Sequence, residues 1–427
     1  MLELDRALQF EPARDAECFA EVPARPGVLL INLRSAGEAH GEPYLVRTAN
    51  LRRAAERLLG RPDASSRRLN LRDVAAGVLF RVTGSRLEQS LTHYQQARRL
   101  FPQRYGHLVR LRPPVLLKVN LRSEYPRCYV TRRIPSDGGF YMGPFAARKS
   151  TEEFASRFLD LFKVRRCQIR IRRDPQFPGC IYSEMKMCLA PCFAGCTADE
   201  YDGEAARMVE SLASRGQTLC RALELERDAA SEALEFERAA TVQKRIEKMQ
   251  SAFRGWPAVA RRIEDLHAVI LQRAAEKNSV AVFPVQAGVI ADPFFLNFSE
   301  HASQERPAEV TLREHLEQAE ASSMEALTPR GAAAEIQAPQ GLDESLTAAD
   351  QSPPGYRQRF ALKAPAADLR EHLSLLARWY YSNPREGKIF FRDSRWPSRR
   401  ILRACSRILG AGGQEPEAAG VSQAPEA

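Results

Sequence analysis

No apolar run in this chain is long enough to cross a bilayer. The longest, such as Val280–Val285, fall far short of the roughly 20 residues a spanning helix needs. The N-terminus, MLELDRALQFEPARDAE, lacks the basic start and apolar core of a secretory signal. The expected setting is therefore cytoplasmic, with no membrane partner. No internal repeat is present, so the chain does not read as an array of small stacked units. Residues 43–59, PYLVRTANLRRAAERLL, contain one acid, Glu56, and neither histidine nor glycine. A strand running into an arginine-rich helix suits a phosphate-handling site, yet this stretch has almost none of the groups that would do chemistry on one.

Basic charge and cysteine are plentiful. The 427 residues carry 63 Lys and Arg against 53 Asp and Glu, a net charge of +10. Such a balance fits nucleic acid, anionic lipid or an acidic partner. Nine cysteines in a cytoplasmic chain point to metal or redox use in preference to disulfides.

The pattern predicts an α+β multidomain protein. Residues 1–25 read as a leader helix and lead-in, and 26–113 as a compact α/β domain. In that domain Gly27–Asn32, Tyr44–Val46 and Val78–Val82 are strand-like. Leu51, Ala54, Ala55, Leu58 and Leu59 recur at helical spacing, as does the stretch Leu87–Phe101. Residues 114–200 form a basic and cysteine-rich region, with strands in PPVLLKVNL, RCYVTRRI and FYMGPF and a helix over Ser150–Phe162. Arginines and lysines, among them Arg127, Arg132, Arg133, Arg148 and Lys149, interleave there with Tyr125, Tyr129, Phe140 and Tyr141. That mixture suits contact with DNA phosphates and bases. Residues 201–254 read as almost unbroken helix. Residues 255–410 read as a mixed α/β domain, with strands over 262–300, helices over Asp368–Tyr381 and Ser398–Leu409, and a flexible insertion at 300–357. A disordered tail follows from 411 to 427.

Two motifs carry chemistry. Cys167, Cys180, Cys188 and Cys192 have the spacing C-x12-C-x7-C-x3-C, followed by Cys196. Four thiolates suit either a zinc ion or a 4Fe–4S cluster, and the spacing does not choose between them. The flanking Arg165, Arg166, Arg170, Arg172, Arg173 and Lys186 are expected to lower the thiol pKa values. The second motif is SEALEFERAATVQKRIEKMQ, residues 231–250, where Leu234, Ala239, Val242, Ile246 and Met249 make one apolar stripe and Phe236 stands among charges. In a hairpin with 205–228, that stripe can dock a like hairpin or simply pack on its own domain.

Together the cysteine pattern, RCYVTRRI…FYMGPF and EALEFERAATVQKRIE resemble, in the same order, the UvrC family, the nuclease component of the bacterial UvrABC excinuclease. The resemblance covers roughly 20–300 and, more weakly, 365–409. It implies a GIY-YIG-like nuclease domain at 26–113, a cysteine-held 4Fe–4S cluster, a helical UVR region, and a C-terminal linker-type domain. The UVR motif implies binding to the partner UvrB through Leu234, Phe236, Ala239, Ala240 and Ile246. Family members continue into an RNase H-type nuclease domain and a helix-hairpin-helix module, and this chain is expected to lack both. A GIY-YIG site needs tyrosine, arginine and a glutamate that holds one Mg²⁺. Aligned on PGV…PYLV…NLR, Leu29 stands for the first tyrosine and Ala54 for the arginine. Tyr44 is kept, Val46 replaces the motif glycine, and Arg47 replaces a lysine. His93 falls at the metal glutamate, with Glu88 close by. Tyr44, Arg53, Glu88 and His93 are thus the residues left for a degenerate site, and Mg²⁺ is expected only if that site works. The expected function is nucleotide excision repair by a chain that binds UvrB and DNA without cutting. The alternatives are a single-incision endonuclease acting 3′ to a lesion, and a zinc-holding stress-regulator adaptor.

Overall fold

The computed structural model describes residues 2–34, 41–62, 67–134, 137–301, 308–327, 355–362, 368–393 and 395–410. The molecule is a mixed α/β multidomain structure with three separate sheets. The first unit runs β1 (Arg6–Gln9), α1 (Asp15–Glu21), β2 (Gly27–Leu33), β3 (Tyr44–Thr48), α2 (Leu51–Leu59), β4 (Ala75–Val82), α3 (Arg86–Leu100) and α4 (Tyr105–Val109). Its sheet is antiparallel in the order β1-β4-β2-β3. Residues 1–25 are therefore part of this unit, because β1 pairs along β4 from Arg6–Phe80 to Gln9–Gly77. The short strand RALQ has no alternating apolar signal, which is why the sequence reads as a leader. Asn50 caps α2 by accepting the Arg53 N–H at 2.9 Å, and the five apolar residues expected on the inner face of α2 are all buried.

The second unit contains β5 (Val115–Val119), β6 (Cys128–Thr131), β7 (Phe140–Phe145) and α5 (Arg148–Leu159). The cysteine segment follows, with the short α6 (Ile181–Glu184) and a single 3-10 turn at Pro191–Phe193. Then come three helices, α7 (Ala198–Ala213), α8 (Gln217–Glu232) and α9 (Phe236–Phe253). β8 (Arg261–Arg262) completes the sheet, in the order β6-β5-β7-β8. One core joins this sheet to α5 and to α7–α9, through Phe140, Phe158, Tyr201, Met208, Ile246 and Met249.

The third unit has β9 (Ala268–Arg273), β10 (Ser279–Gln286), β11 (Val289–Ile290), β12 (Phe294–Asn297), α10 (Phe298–His301), α11 (Ala308–Leu327), α12 (Gly355–Phe360), α13 (Leu369–Tyr380), β13 (Lys388–Phe391) and α14 (Ser398–Gly410). Its sheet order is β11-β10-β9-β13, with β12 also on β10. The expected flexible insertion is helical at both described ends. Leu312 and Leu316 of α11 are buried against β9, β10 and α14. Arg357 of α12 donates to the backbone oxygens of Leu121, Ser123 and Glu124 and pairs with Asp202. The middle of the insertion and the tail at 411–427 lie outside the described residues.

A single core ties the first and third units together. Leu87, Leu91, Tyr94 and Ala97 of α3 pack with Leu373, Leu376 and Trp379 of α13 and with Ile270 and Phe283. Leu116 and Tyr141 of the second sheet enter the same cluster, so that sheet is covered on both faces. Among the described residues, no helix is long and apolar enough to cross a membrane.

Candidate functional site

The first sheet has two faces, and the four residues left for a degenerate nuclease site divide between them. Leu29, Ile31, Tyr44, Val46, Val78 and Phe80 point toward α1 and α2. Leu29 faces Val46 on one side and Phe80 on the other. The position of the first motif tyrosine is thus the centre of an apolar row, fully buried, and Ala54 of α2 closes over it at 6% exposure. Gly27 is needed for packing: a Cβ there would sit 2.2 Å from the Arg81 carbonyl oxygen and 2.7 Å from Leu51 Cδ1. Tyr44 lies half-buried on this face, while Arg53 is exposed at the outside of α2.

Glu88 and His93 stand on α3, which covers the opposite face with Leu45. Glu88 is 1% exposed. Its carboxylate accepts the Gly84 N–H at 2.8 Å and lies 3.6 Å from Arg81 Nε. Burial raises its pKa, opposed by the Gly84 N–H and Arg81. The carboxylate serves as a brace for the β4–α3 turn, which Ser85 caps by accepting the Glu88 N–H at 3.2 Å. His93 is buried, and its pKa is lowered to about 4 by desolvation and then by Arg47. It is neutral at neutral pH. The structure brings Glu88 and His93 to one helix, and Tyr44 and Arg53 to the other side of the sheet.

The four cysteines come within electrostatic reach of one another. Cys188 is pushed up to about 11, first by burial and further by Cys167, Cys180 and Cys192. Cys192 is also raised, by burial and then Cys180. Among the described residues, no group of three or more His, Cys, Asp or Glu is disposed to hold a metal ion. Ala190 N–H donates to Cys188 Sγ at 3.3 Å. Burial, and not the flanking arginines, dominates at these two thiols, contrary to what the sequence suggests. Arg165 donates to the Ile169 carbonyl at 2.9 Å, Arg166 pairs with Asp160 at 2.7 Å, and Arg173 donates to the Cys196 carbonyl at 3.0 Å.

The stretch 231–250 is not one helix. It holds the end of α8, a turn at 233–235, and the start of α9. Leu234 makes the turn with φ +61°. The expected single stripe divides accordingly. Val242, Ile246 and Met249 are buried within the unit's own core, so Ile246 is a packing residue and not a surface one. Leu234 and Phe236 stand out at 72% and 64% exposure, Ala240 is exposed, and Ala239 is half-buried. Leu225 of α8, which sequence pattern alone does not single out, is exposed at 66%. An apolar residue on the outer face of a charged helix is the signal that could have flagged it.

The basic residues expected on DNA gather around one edge. Arg127, Arg132 and Arg133 flank the edge strand β6, and Arg148 and Lys149 stand in the first turn of α5, which packs on β6. Arg132, Arg133 and Lys149 are exposed, and Arg148 pairs with Glu152 at 2.7 Å. The interleaved aromatics are mostly core: Tyr125, Phe140 and Tyr141 are buried. Tyr129 alone of the four is half-buried, with the Arg127 guanidinium 4.3 Å from its ring centroid.

The second unit defines the class of protein. Residues 115–211 match the family model of the UvrC/Cho excinuclease middle domain. Strands β5–β7, α5, the cysteine segment and most of α7 lie within that match. Over that stretch the chain is similar to UvrC-family proteins. It is similar to UvrABC system protein C of Ruminiclostridium cellulolyticum, 26% identical over 191 residues, which is 44% of this chain and 31% of that protein. It is likewise similar to the protein of that name from Nitratidesulfovibrio vulgaris, 30% identical over 178 residues, 42% of this chain and 26% of the relative. A shorter match, 36% identical over 124 residues, 29% of this chain and 20% of the relative, is to that of Carboxydothermus hydrogenoformans. The match thus spans a third or less of each of these relatives. No solved structure matches the chain.

Proposed function

We propose that this chain acts in nucleotide excision repair as a binding protein that docks on UvrB and DNA and does not itself cut. The observation that supports this best is the α2 face of the first sheet. Leu29, Val46 and Ala54 occupy the positions of the motif tyrosine, glycine and arginine, and the first and last of them are buried in a packed apolar core. An apolar core offers no charge to a developing phosphorane, and loss of one such stabiliser costs about 10²–10³ in rate. Binding to UvrB is assigned to the exposed tip of the α8–α9 hairpin, Leu234, Phe236 and Ala240, with Ala239 beside it. DNA contact is assigned to Arg127, Arg132, Arg133, Arg148 and Lys149. Cys167, Cys180, Cys188 and Cys192 would hold a 4Fe–4S cluster or zinc. Either group would cross-link the two ends of the loop at 167–192 through its four thiolates.

The deciding experiment is an incision assay. Lesion-bearing duplex, preloaded with UvrA and UvrB, receives this protein with Mg²⁺ or Mn²⁺ while binding is followed in parallel. Stable association without a nick is the expected result. A metal-dependent 3′ nick that Tyr44→Phe abolishes would instead establish the single-incision endonuclease with a rearranged site.

A further inference from the structure

Three arginines far apart in sequence line one groove along α13, which faces the first unit at one end and the second sheet at the other. Arg47 is on β3, Arg112 lies in the link to β5, and Arg378 is on α13. The groove has two halves, of about 300 Å³ and about 470 Å³, and Arg378 forms a wall of both. Arg86 lines the first half and Arg132 the second. The one carboxylate in the lining, Glu386, is already engaged: it accepts the Arg86 N–H at 2.8 Å and pairs with its guanidinium at 3.1 Å.

Some exposed guanidiniums elsewhere are neutralised by acids, as in Arg14–Glu17, Arg148–Glu152 and Arg207–Glu204. Among the described residues, no carboxylate pairs with Arg47, Arg112, Arg132 or Arg378. Two of them are held in place by neutral acceptors. Arg47 donates to Ser90 Oγ at 3.1 Å, and Arg378 to the Arg110 carbonyl at 3.0 Å. These bonds orient the charge without cancelling it. Partial desolvation, then Arg47 and Arg112, holds the Arg378 guanidinium below its usual value. Like charges fixed along a groove attract an extended polyanion. They are spread over two halves, so they do not converge on a single phosphate.

We propose that this groove holds the phosphodiester backbone of a nucleic-acid strand, with Arg47, Arg112, Arg132 and Arg378 contacting its phosphates. The proposal rests on the DNA-binding reading above and extends the contact surface from the β6 edge, through Arg132, to the junction with α13. Contacts made to phosphates are independent of sequence.

The test uses the full chain and fluorescence anisotropy with labelled duplex and single-stranded DNA over a range of salt. Arg47→Gln/Arg378→Gln is compared with a charge-matched pair away from the groove, Arg61→Gln/Arg313→Gln. The groove variant should lose roughly tenfold in affinity. Its log Kd against log salt slope should shrink by about 2, near one for each phosphate no longer neutralised. The control pair should stay within about twofold. Because like charges are removed, the groove variant should melt at or above the wild-type temperature in low salt. Should it fail to fold, Arg112→Gln/Arg132→Gln, both exposed, must show the same loss. Wild-type binding with unchanged affinity and slope in the groove variants would overturn the groove while leaving DNA binding standing. No DNA binding by the wild-type chain would overturn both. If tripolyphosphate stabilises the wild type but not the groove variant, and DNA affinity is equal in the two, the groove is a small-anion site and the proposal fails.

Discussion

At the residue scale, Glu88 and His93, both buried on α3, respond to pH in opposite directions. The pKa of His93 is lowered from 6.5 to about 4. A lowered histidine pKa means that the folded chain binds fewer protons than the unfolded one. Its contribution is present above pH 6.5 and is lost as pH falls toward 4, a change of roughly 3 kcal/mol at most. Urea unfolding of wild type and His93→Gln at pH 7 and pH 5 should show the wild type losing more stability, and equal losses would disprove the buried neutral imidazole. Glu88 has a raised pKa, so its contribution is greatest below the usual carboxylate range and declines as pH rises through the folded value. Glu88→Gln keeps an acceptor for the Gly84 N–H and should cost less than about 1 kcal/mol at pH 7. Glu88→Ala strands that buried donor and Arg81, and should cost about 1–3 kcal/mol. If Glu88 were instead held ready for a metal, both variants would be neutral or stabilising, and adding Mn²⁺ would raise the wild-type melting temperature alone.

At the scale of elements, the α8–α9 hairpin separates packing from display. Ile246 is 2% exposed and Phe236 is 64% exposed. Ile246→Ala should destabilise the chain by about 2–5 kcal/mol, as buried large-to-small changes do. Phe236→Ala should leave the melting temperature unchanged and weaken UvrB association by tenfold or more, measured by surface plasmon resonance. Unchanged affinity would remove the hairpin tip from the proposed interface. The hairpin also marks where the sequence is legible and where it is not. The helix content of 201–254 and the burial of Val242 and Met249 follow from spacing. The break at 233–235 does not, because EALEF contains no glycine or proline, and a leucine at φ +61° makes the turn. Similarly α2 is readable to the residue, since its cap and its inner face are both local. Strand β1 is not, because four residues with no apolar alternation acquire a strand only by pairing with β4. The groove is least readable of all. Nothing local connects positions 47, 112 and 378, and only the packing of α13 against α3 brings them together.

For the whole molecule, that same packing makes the first unit depend on the third. The core under α3 joins Leu87, Leu91, Tyr94 and Ala97 to Leu373, Leu376 and Trp379. Polar ties reinforce it: Ser85 Oγ donates to Gln272 Oε1 at 2.6 Å, and the Arg98 guanidinium pairs with Asp368 at 2.7 Å. Gly84 lies so close to the end of β9 that a Cβ would fall 2.2 Å from the Ala274 carbonyl carbon. A large apolar side chain such as Leu contributes roughly 1.5–3 kcal/mol when fully buried. Two leucines, a tyrosine and an alanine of α3 therefore contribute on the order of the 5–15 kcal/mol that stabilises an ordinary domain. A fragment of residues 1–113, the lead-in together with the domain that sequence alone marks off at 26–113, should consequently fail to fold cooperatively and should bind a dye for exposed apolar surface. The full chain should lose the first and third units in one transition, followed by hydrogen exchange at β2 and β9. A fragment that melts sharply at the full-chain temperature would show that the first unit is autonomous. The groove arginines would then be held by a docking of two independent bodies, and the salt dependence of DNA binding would change with any substitution, such as Leu373→Ala, that loosens that docking.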